Sequence, residues 1–156
     1  MSEKVANNIN DAKQYIVVNI GSERYGIDIQ YVDNIVRMTR ITRIPKAQEY
    51  FPGVINIRGE IIPVMSLRVR FGLEQDVITN ASRILIIKIE PQAAVGIIVD
   101  EVKNVITIEE DQIERVSSNT DPEKAQFING VGKHEEGLVT LLNLQNVIVD
   151  KEATDK

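Results

Sequence analysis

The 156-residue chain has no cysteine, no tryptophan and one histidine, and its aromatic residues are four tyrosines and three phenylalanines. Without cysteine there is no disulfide framework, no thiol nucleophile and no thiolate zinc site. The single histidine, His134, lies in the polar turn Gly132–Gly137 with no serine beside it that it could activate. No apolar run approaches the ~20 residues that span a bilayer, so no direct membrane insertion is expected. Met1–Lys13 is polar and lacks an apolar signal core, which makes the cytoplasm the expected location. Eighteen basic against 23 acidic residues give a net charge of −5. That balance opposes nucleic-acid binding, which needs a surplus of Lys and Arg. So few aromatics also leave no platform for stacked bases.

What the chain does have is β-branched aliphatics: 24 Ile and 18 Val against 7 Leu. Such side chains fit a pleated surface better than a helix, so the fold class is mainly β. Gln14–Ile20 reads as a strand that Gly21-Ser22-Glu23 turns into Arg24–Ile27. Asp28 is placed to cap a short helix in which Ile29, Val32, Ile35 and Val36 share one face. Arg37–Ile44 reads as extended and ends at Pro45. Gly53–Arg58 and Ile61–Met65 flank a hairpin turn at Gly59-Glu60, with Pro63 marking an edge or a bulge. Ser66 caps a short turn over Leu67–Phe71 that Gly72 stops, and Glu74–Ser82 reads as a polar linker.

The second half echoes the first. Gly26–Val36 and Gly96–Ile106 share four of eleven residues at an offset of 70, and three more positions exchange Ile with Val. Downstream, Phe51-Pro52-Gly53-Val54 is echoed by Phe127–Val131, and Glu60–Leu67 by Gly137–Leu144, where Asn143 replaces Ser66 as cap. Two copies of a small β unit are predicted, over 14–74 and 82–150, with strand exchange allowed at their ends. Residues 1–13 are expected to be a flexible arm and 151–156 a flexible tail. A unit of about 70 residues is marginal alone, so the two should share a core.

No constellation for catalysis, metal binding or a cofactor emerges. Glu109-Glu110-Asp111 precedes Ile113 as acidic groups precede a helix start. Asp28, Asp100 and Glu101 are too sparse for a cation cage, and the glycines form no phosphate loop. Arg37, Arg40 and Arg43, joined later by Arg68 and Arg70, form the main basic cluster. It suits either a charged edge strand or a partner-facing edge. From Phe51 to Val64, two prolines, two glycines and Arg58 interrupt an apolar run. Arg58 is either a docking residue at a hydrophobic rim or the partner of a nearby carboxylate.

Tyr25-Gly26-Ile27-Asp28-Ile29 with Val32 and Ile35, Gly53-Val54-Ile55-Asn56-Ile57-Arg58-Gly59, and Pro63-Val64 through Leu67-Arg68 resemble the CheW family. That family comprises adaptors of bacterial chemotaxis, and its domain also occurs in the histidine kinase CheA and in CheV. The likeness runs from about Gln14 to Val149, and the chain has no room for a kinase core or receiver domain. The resemblance implies two SH3-like five-stranded β-barrels packed face to face, with no catalysis and no cofactor. It implies an adaptor that joins the tip of a chemoreceptor to the regulatory domain of CheA, with ring contacts between copies as a further property. A coupling module of a non-chemotaxis array remains the nearest alternative, ahead of a nucleic-acid-binding barrel. Carried over residue by residue, receptor binding falls to Val32, Ile35, Gly53, Asn56 and Arg58. Kinase binding falls to Ile41 and Arg43 in the first unit and to Val105 and Glu114 in the second.

Overall fold

Runs of Ile and Val with no polar alternation demand strands that are covered on both faces, and such strands organise this molecule. The computed structural model describes residues 12–45, 48–90, 93–115, 125–135 and 137–148. The expected tail at 151–156 and residues 1–11 of the expected arm lie outside these. Ala12 and Lys13, assigned to that arm, instead open the first strand. The strands are β1 (Ala12–Ile20), β2 (Glu23–Asp28), β3 (Val32–Arg37), β4 (Thr42–Arg43), β5 (Gly53–Ile57) and β6 (Glu60–Ser66). They continue as β7 (Arg83–Glu90), β8 (Ala93–Val99), β9 (Glu101–Glu109), β10 (Ile113–Glu114), β11 (Ile128–His134) and β12 (Gly137–Leu142). Short helices α1 (Leu67–Arg70) and α2 (Leu144–Ile148) follow β6 and β12.

The fold is mainly β, and the strands form two six-stranded sheets. The first has the order β4-β5-β6-β8-β7-β3 and the second β10-β11-β12-β2-β1-β9. The repeat seen in the sequence maps one order onto the other, strand for strand. The sheets do not follow the halves 14–74 and 82–150, however. Hairpin β1–β2 leaves its own repeat to complete the second sheet, and β7–β8 does the reverse. Parallel pairings make both joins: Thr140 and Leu141 lie opposite Tyr25 and Gly26, and Val64–Ser66 lie opposite Gly96–Ile98. Each sheet has six strands rather than five because the two-residue edges β4 and β10 pair as well.

Three apolar clusters result. In β1, Ile16, Val18 and Ile20 enter a cluster shared by both sheets, whereas Tyr15 and Val17 face a cluster inside the second sheet with Ile106, Ile108, Val139 and Leu141. In β7, Leu85 and Ile87 enter the shared cluster, and Ile84 and Ile86 face one inside the first sheet with Ile55, Ile62 and Val64. Each fully buried aliphatic of this kind contributes roughly 1.5–3 kcal/mol. At the parallel joins, Gly26 leaves room for the opposite strand β12 and Gly96 for a side chain of its hairpin partner β7. A Cβ on Gly26 would lie 2.8 Å from Leu141 Cδ2, and one on Gly96 would lie 2.8 Å from Ile84 Cγ2.

Local expectations fared unevenly. The helix after Asp28 is a single 3-10 turn, Ile29–Tyr31, whose Gln30 N donates to Asp28 Oδ1 at 3.1 Å. Val32 onward is strand. Of Arg37–Ile44, only Arg37 in β3 and the pair in β4 are strand. The acidic run before Ile113 likewise gives one 3-10 turn, Glu110–Gln112, with Glu109 N donating to Gln112 Oε1 at 2.8 Å. Pro63 sits where β6 has only β5 beside it, one residue before pairing with β8 begins, so its missing N–H leaves no gap in that second ladder. Ser66 and Asn143 cap α1 and α2 by accepting from Val69 N at 3.2 Å and from Asn146 N at 3.2 Å. Arg70 ties the repeats together: Nε donates to the Val147 carbonyl at 3.1 Å, and its guanidinium lies 4.3 Å from the centre of the Tyr50 ring.

The glycine at the exchanged join is testable. Gly96→Ala should lower stability by about 1–2 kcal/mol in urea denaturation, because overpacking outweighs the reduced freedom of the unfolded chain. A neutral or stabilising effect would show that Ile84 and Val64 yield without strain.

Candidate functional site

Side chains three apart on a regular strand point to opposite faces, yet Val32 and Ile35 do not. The register between β3 and β7 shifts between Val32 and Asn34, so Val32 lies opposite Ile87 and Ile35 opposite Leu85. Both of those partners belong to the shared cluster, and residues opposite one another share a face. The second sheet repeats the device. A shift between β1 and β9 sets Val102 opposite Val18 and Val105 opposite Ile16. Val32 and Val102 are half-buried against the shared cluster, while Ile35 and Val105 rise to 39% and 49% exposure. Two equivalent aliphatic pairs, one from each sheet, thus face the seam, the side on which the sheets share their cluster. Val102 escaped the sequence reading, although the offset of 70 aligns it with Val32. Val105, a kinase candidate, is the counterpart of Ile35 under the repeat.

The other receptor candidates lie around hairpin β5–β6. Its turn is Arg58-Gly59, one residue earlier than expected, since Ile57 lies opposite Glu60. Arg58 and Gly59 have φ of 55° and 87°, the positive pair of a type I′ turn. Asn56 Oδ1 accepts from Gly59 N at 2.9 Å and holds the turn closed. Arg58 is exposed, and among the described residues its guanidinium has no carboxylate partner. Asn56 lies opposite the exposed Ile61 on the outer face of the hairpin. Gly53 is buried between β4 and β6, and a Cβ there would collide with the Thr42 carbonyl. It shapes the β4 edge and offers no side chain for docking. Gly130 does the same against Glu114 at β10, where a Cβ would come within 2.7 Å of the carbonyl oxygen.

The remaining kinase candidates occupy these edges. Ile41 is half-buried against the cluster inside the first sheet, and Arg43 is exposed on β4. Glu114, on β10, pairs with Lys133 at 2.6 Å, both side chains more than half exposed. Such a pair contributes at most about 1 kcal/mol. Two arginines leave the basic cluster: Arg70 braces the helices, and Arg68 grips Asp100 with Nε–Oδ1 of 3.0 Å and Nη2–Oδ2 of 2.5 Å. Asp100 also accepts from Gly21 N at 2.8 Å. The Arg68 hydrogen bonds hold its carboxyl below the usual range. Nearby, Ser66 Oγ donates to Asp76 Oδ2, while Asp76 Oδ1 is buried and has no partner among the described residues. Burial pushes the Asp76 carboxyl up. None of these polar contacts was legible from spacing.

Among the described residues, no group of three or more His, Asp or Glu could hold a metal, and no helix is long and apolar enough to cross a membrane. The family model described as "CheW-like domain" matches residues 14–152. The chain is 34% identical over 146 residues to the chemotaxis protein CheW of Bacillus subtilis, covering 94% of this chain and 92% of that protein. It is 33% identical to CheW of Helicobacter pylori, covering 86% of this chain and 81% of the relative. The crystal structure of the scaffolding protein TtCheW from Thermoanaerobacter tengcongensis matches with a TM-score of 0.80 at 35% identity, over 88% of this chain and 93% of that one.

The two displaced carboxyls set opposite pH dependences. A raised folded value means that the Asp76 contribution is complete below the ordinary carboxylate range and is lost as pH rises through the raised value. A lowered value means that the Asp100 contribution is present above the ordinary range and is lost as pH falls through the lowered value. Stability measured from neutral pH downward should therefore gain from Asp76 before it loses from Asp100. Asp76→Asn should abolish the gain and leave the loss, and an unchanged profile would contradict the buried charge.

Proposed function

The chain belongs to the CheW-like family of chemotaxis scaffold proteins, and on that premise we propose that it is a non-catalytic adaptor. It couples the cytoplasmic tip of a chemoreceptor to the regulatory domain of the histidine kinase CheA, working in the cytoplasm at membrane-associated receptor arrays. The observation that carries this reading is the pair of bulged strands that turn Val32 and Ile35 of one sheet, and Val102 and Val105 of the other, toward the side on which the sheets share their cluster. A seam of aliphatic side chains between two sheets suits one face of an amphipathic receptor helix, read at helical spacing. Arg58 adds an exposed fork of donors at the tip of hairpin β5–β6, and Asn56 fixes the turn that presents it. Gly53 contributes by keeping β4 close to β5.

Kinase contacts fall to the two sheet edges, with Ile41 and Arg43 at β4 and Glu114 at β10. Because the edges are equivalent under the repeat, one molecule can present an edge at either end, as ring contacts with the kinase or with other copies require. Signal passes through such an adaptor by differential binding, so each interface needs to favour one array state by only about 1–3 kcal/mol.

The test is a ternary assay with a chemoreceptor cytoplasmic fragment and the CheA regulatory domain, using the native chain and Arg58→Asn. Asn-Gly is the preferred type I′ pair, so the variant should keep or raise the thermal midpoint. It should also weaken receptor binding by about tenfold, the scale of one interface residue. A native chain that binds neither partner would overturn the adaptor reading. Undiminished receptor binding by the variant would remove Arg58 from the interface.

A further inference from the structure

Beside the β1–β2 turn and the end of α1 lies a cleft of about 540 Å³. That is the size range of ligand-binding clefts. Its floor is aromatic: Phe71 lies 5.5 Å from the ring of Tyr25 and 5.5 Å from that of Phe127. Leu73, on the connection after α1, stands at its mouth 41% exposed. The fold does not demand this floor. The repeat places Ile148 and Val95 where this side has Phe71 and Tyr25, and those aliphatics also pack against the shared cluster.

The charges around the cleft select its occupant. Two features resemble an anion site, Arg68 and the amide of Gly21, but both are committed to Asp100. The carboxylates of Glu23 and Glu74 remain at the rim, and the Tyr25 hydroxyl donates to Glu23 at 2.9 Å rather than into the cleft. An apolar cavity under an acidic rim complements an apolar group flanked by cations.

We propose that this cleft docks a short basic segment of a partner protein, with one aromatic or leucine side chain on the Phe71 floor and neighbouring Lys or Arg against Glu23 and Glu74. Its lining includes none of the candidate receptor or kinase residues, and it does not depend on the adaptor reading. The surface gives the protein a contact that leaves those residues free.

The experiment follows backbone amide NMR shifts of the full chain during titration with the capped peptides Lys-Phe-Lys, Glu-Phe-Glu and Lys-Ala-Lys. Lys-Phe-Lys should produce saturable shifts at Gly21, Leu73 and Ile128. The other two peptides should bind about tenfold more weakly or not at all, since each loses either the rim pairs or the anchor. The double variant Glu23→Gln, Glu74→Gln keeps an acceptor for Tyr25 and alters only exposed groups, so it should fold normally and lose the preference for Lys over Glu. Absence of shifts at these amides, or equal response to all three peptides, would overturn the proposal. It would also be overturned if phenethylammonium bound as tightly as the peptide, which would assign the cleft to a small organic cation. The same shifts on raising protein concentration alone would assign it to a second copy and likewise overturn it.

Discussion

The reciprocal exchange of two hairpins is the constraint on which the other features rest. Each repeat supplies four strands to its own sheet and lends two to the other, and the loans are held by short parallel pairings of β2 with β12 and β8 with β6. A repeat of about 70 residues buries too little surface to be stable alone. Exchange solves this by giving β1 and β7 two covered faces, one within a sheet and one in the shared cluster. Gly26 marks where the lent β2 passes closest to its host β12, and Gly96 marks a close approach inside the lent hairpin, between β8 and β7.

The exchange also decides what is left on the surface. Lending β1 and β7 makes β9 and β3 their outer neighbours, at the equivalent margin of each sheet. A bulge in each pairing then turns two aliphatic side chains toward the seam instead of one. The other margin of each sheet ends in a two-residue strand, too short to recruit a strand from another chain at random. Stability and presentation thus come from the same topology: the interior locks the repeats together, and the pairwise equivalent surfaces are what remains outside.

Much of this was legible in the residues. The excess of Ile and Val announced a β fold, and the offset of 70 announced the repeat and the need for a shared core. The helix predicted after Asp28 failed for an instructive reason. A bulge restores residues three apart to a common face, so Val32 and Ile35 imitate helical spacing on a strand. Sheet membership was not readable, because a strand apolar on both faces gives no sign of which neighbours cover it. The turn was displaced by one residue because Arg58, a side chain uncommon at positive φ, occupies the first central position, where Asn is preferred. Arg68 and Arg70 looked like members of a basic surface because their partners, Asp100 and the end of α2, are distant in sequence.

The central claim is that the exchanged hairpins make the two repeats a single cooperative unit. The most direct measurement is urea unfolding followed by isoleucine methyl NMR at Ile55 and Ile84 inside the first sheet, Ile106 and Ile108 inside the second, and Ile16 and Ile97 in the shared cluster. The exchange predicts one midpoint and one slope for all six probes. Loss of one sheet's isoleucine signals at lower urea, while the other sheet keeps its native shifts, would contradict it.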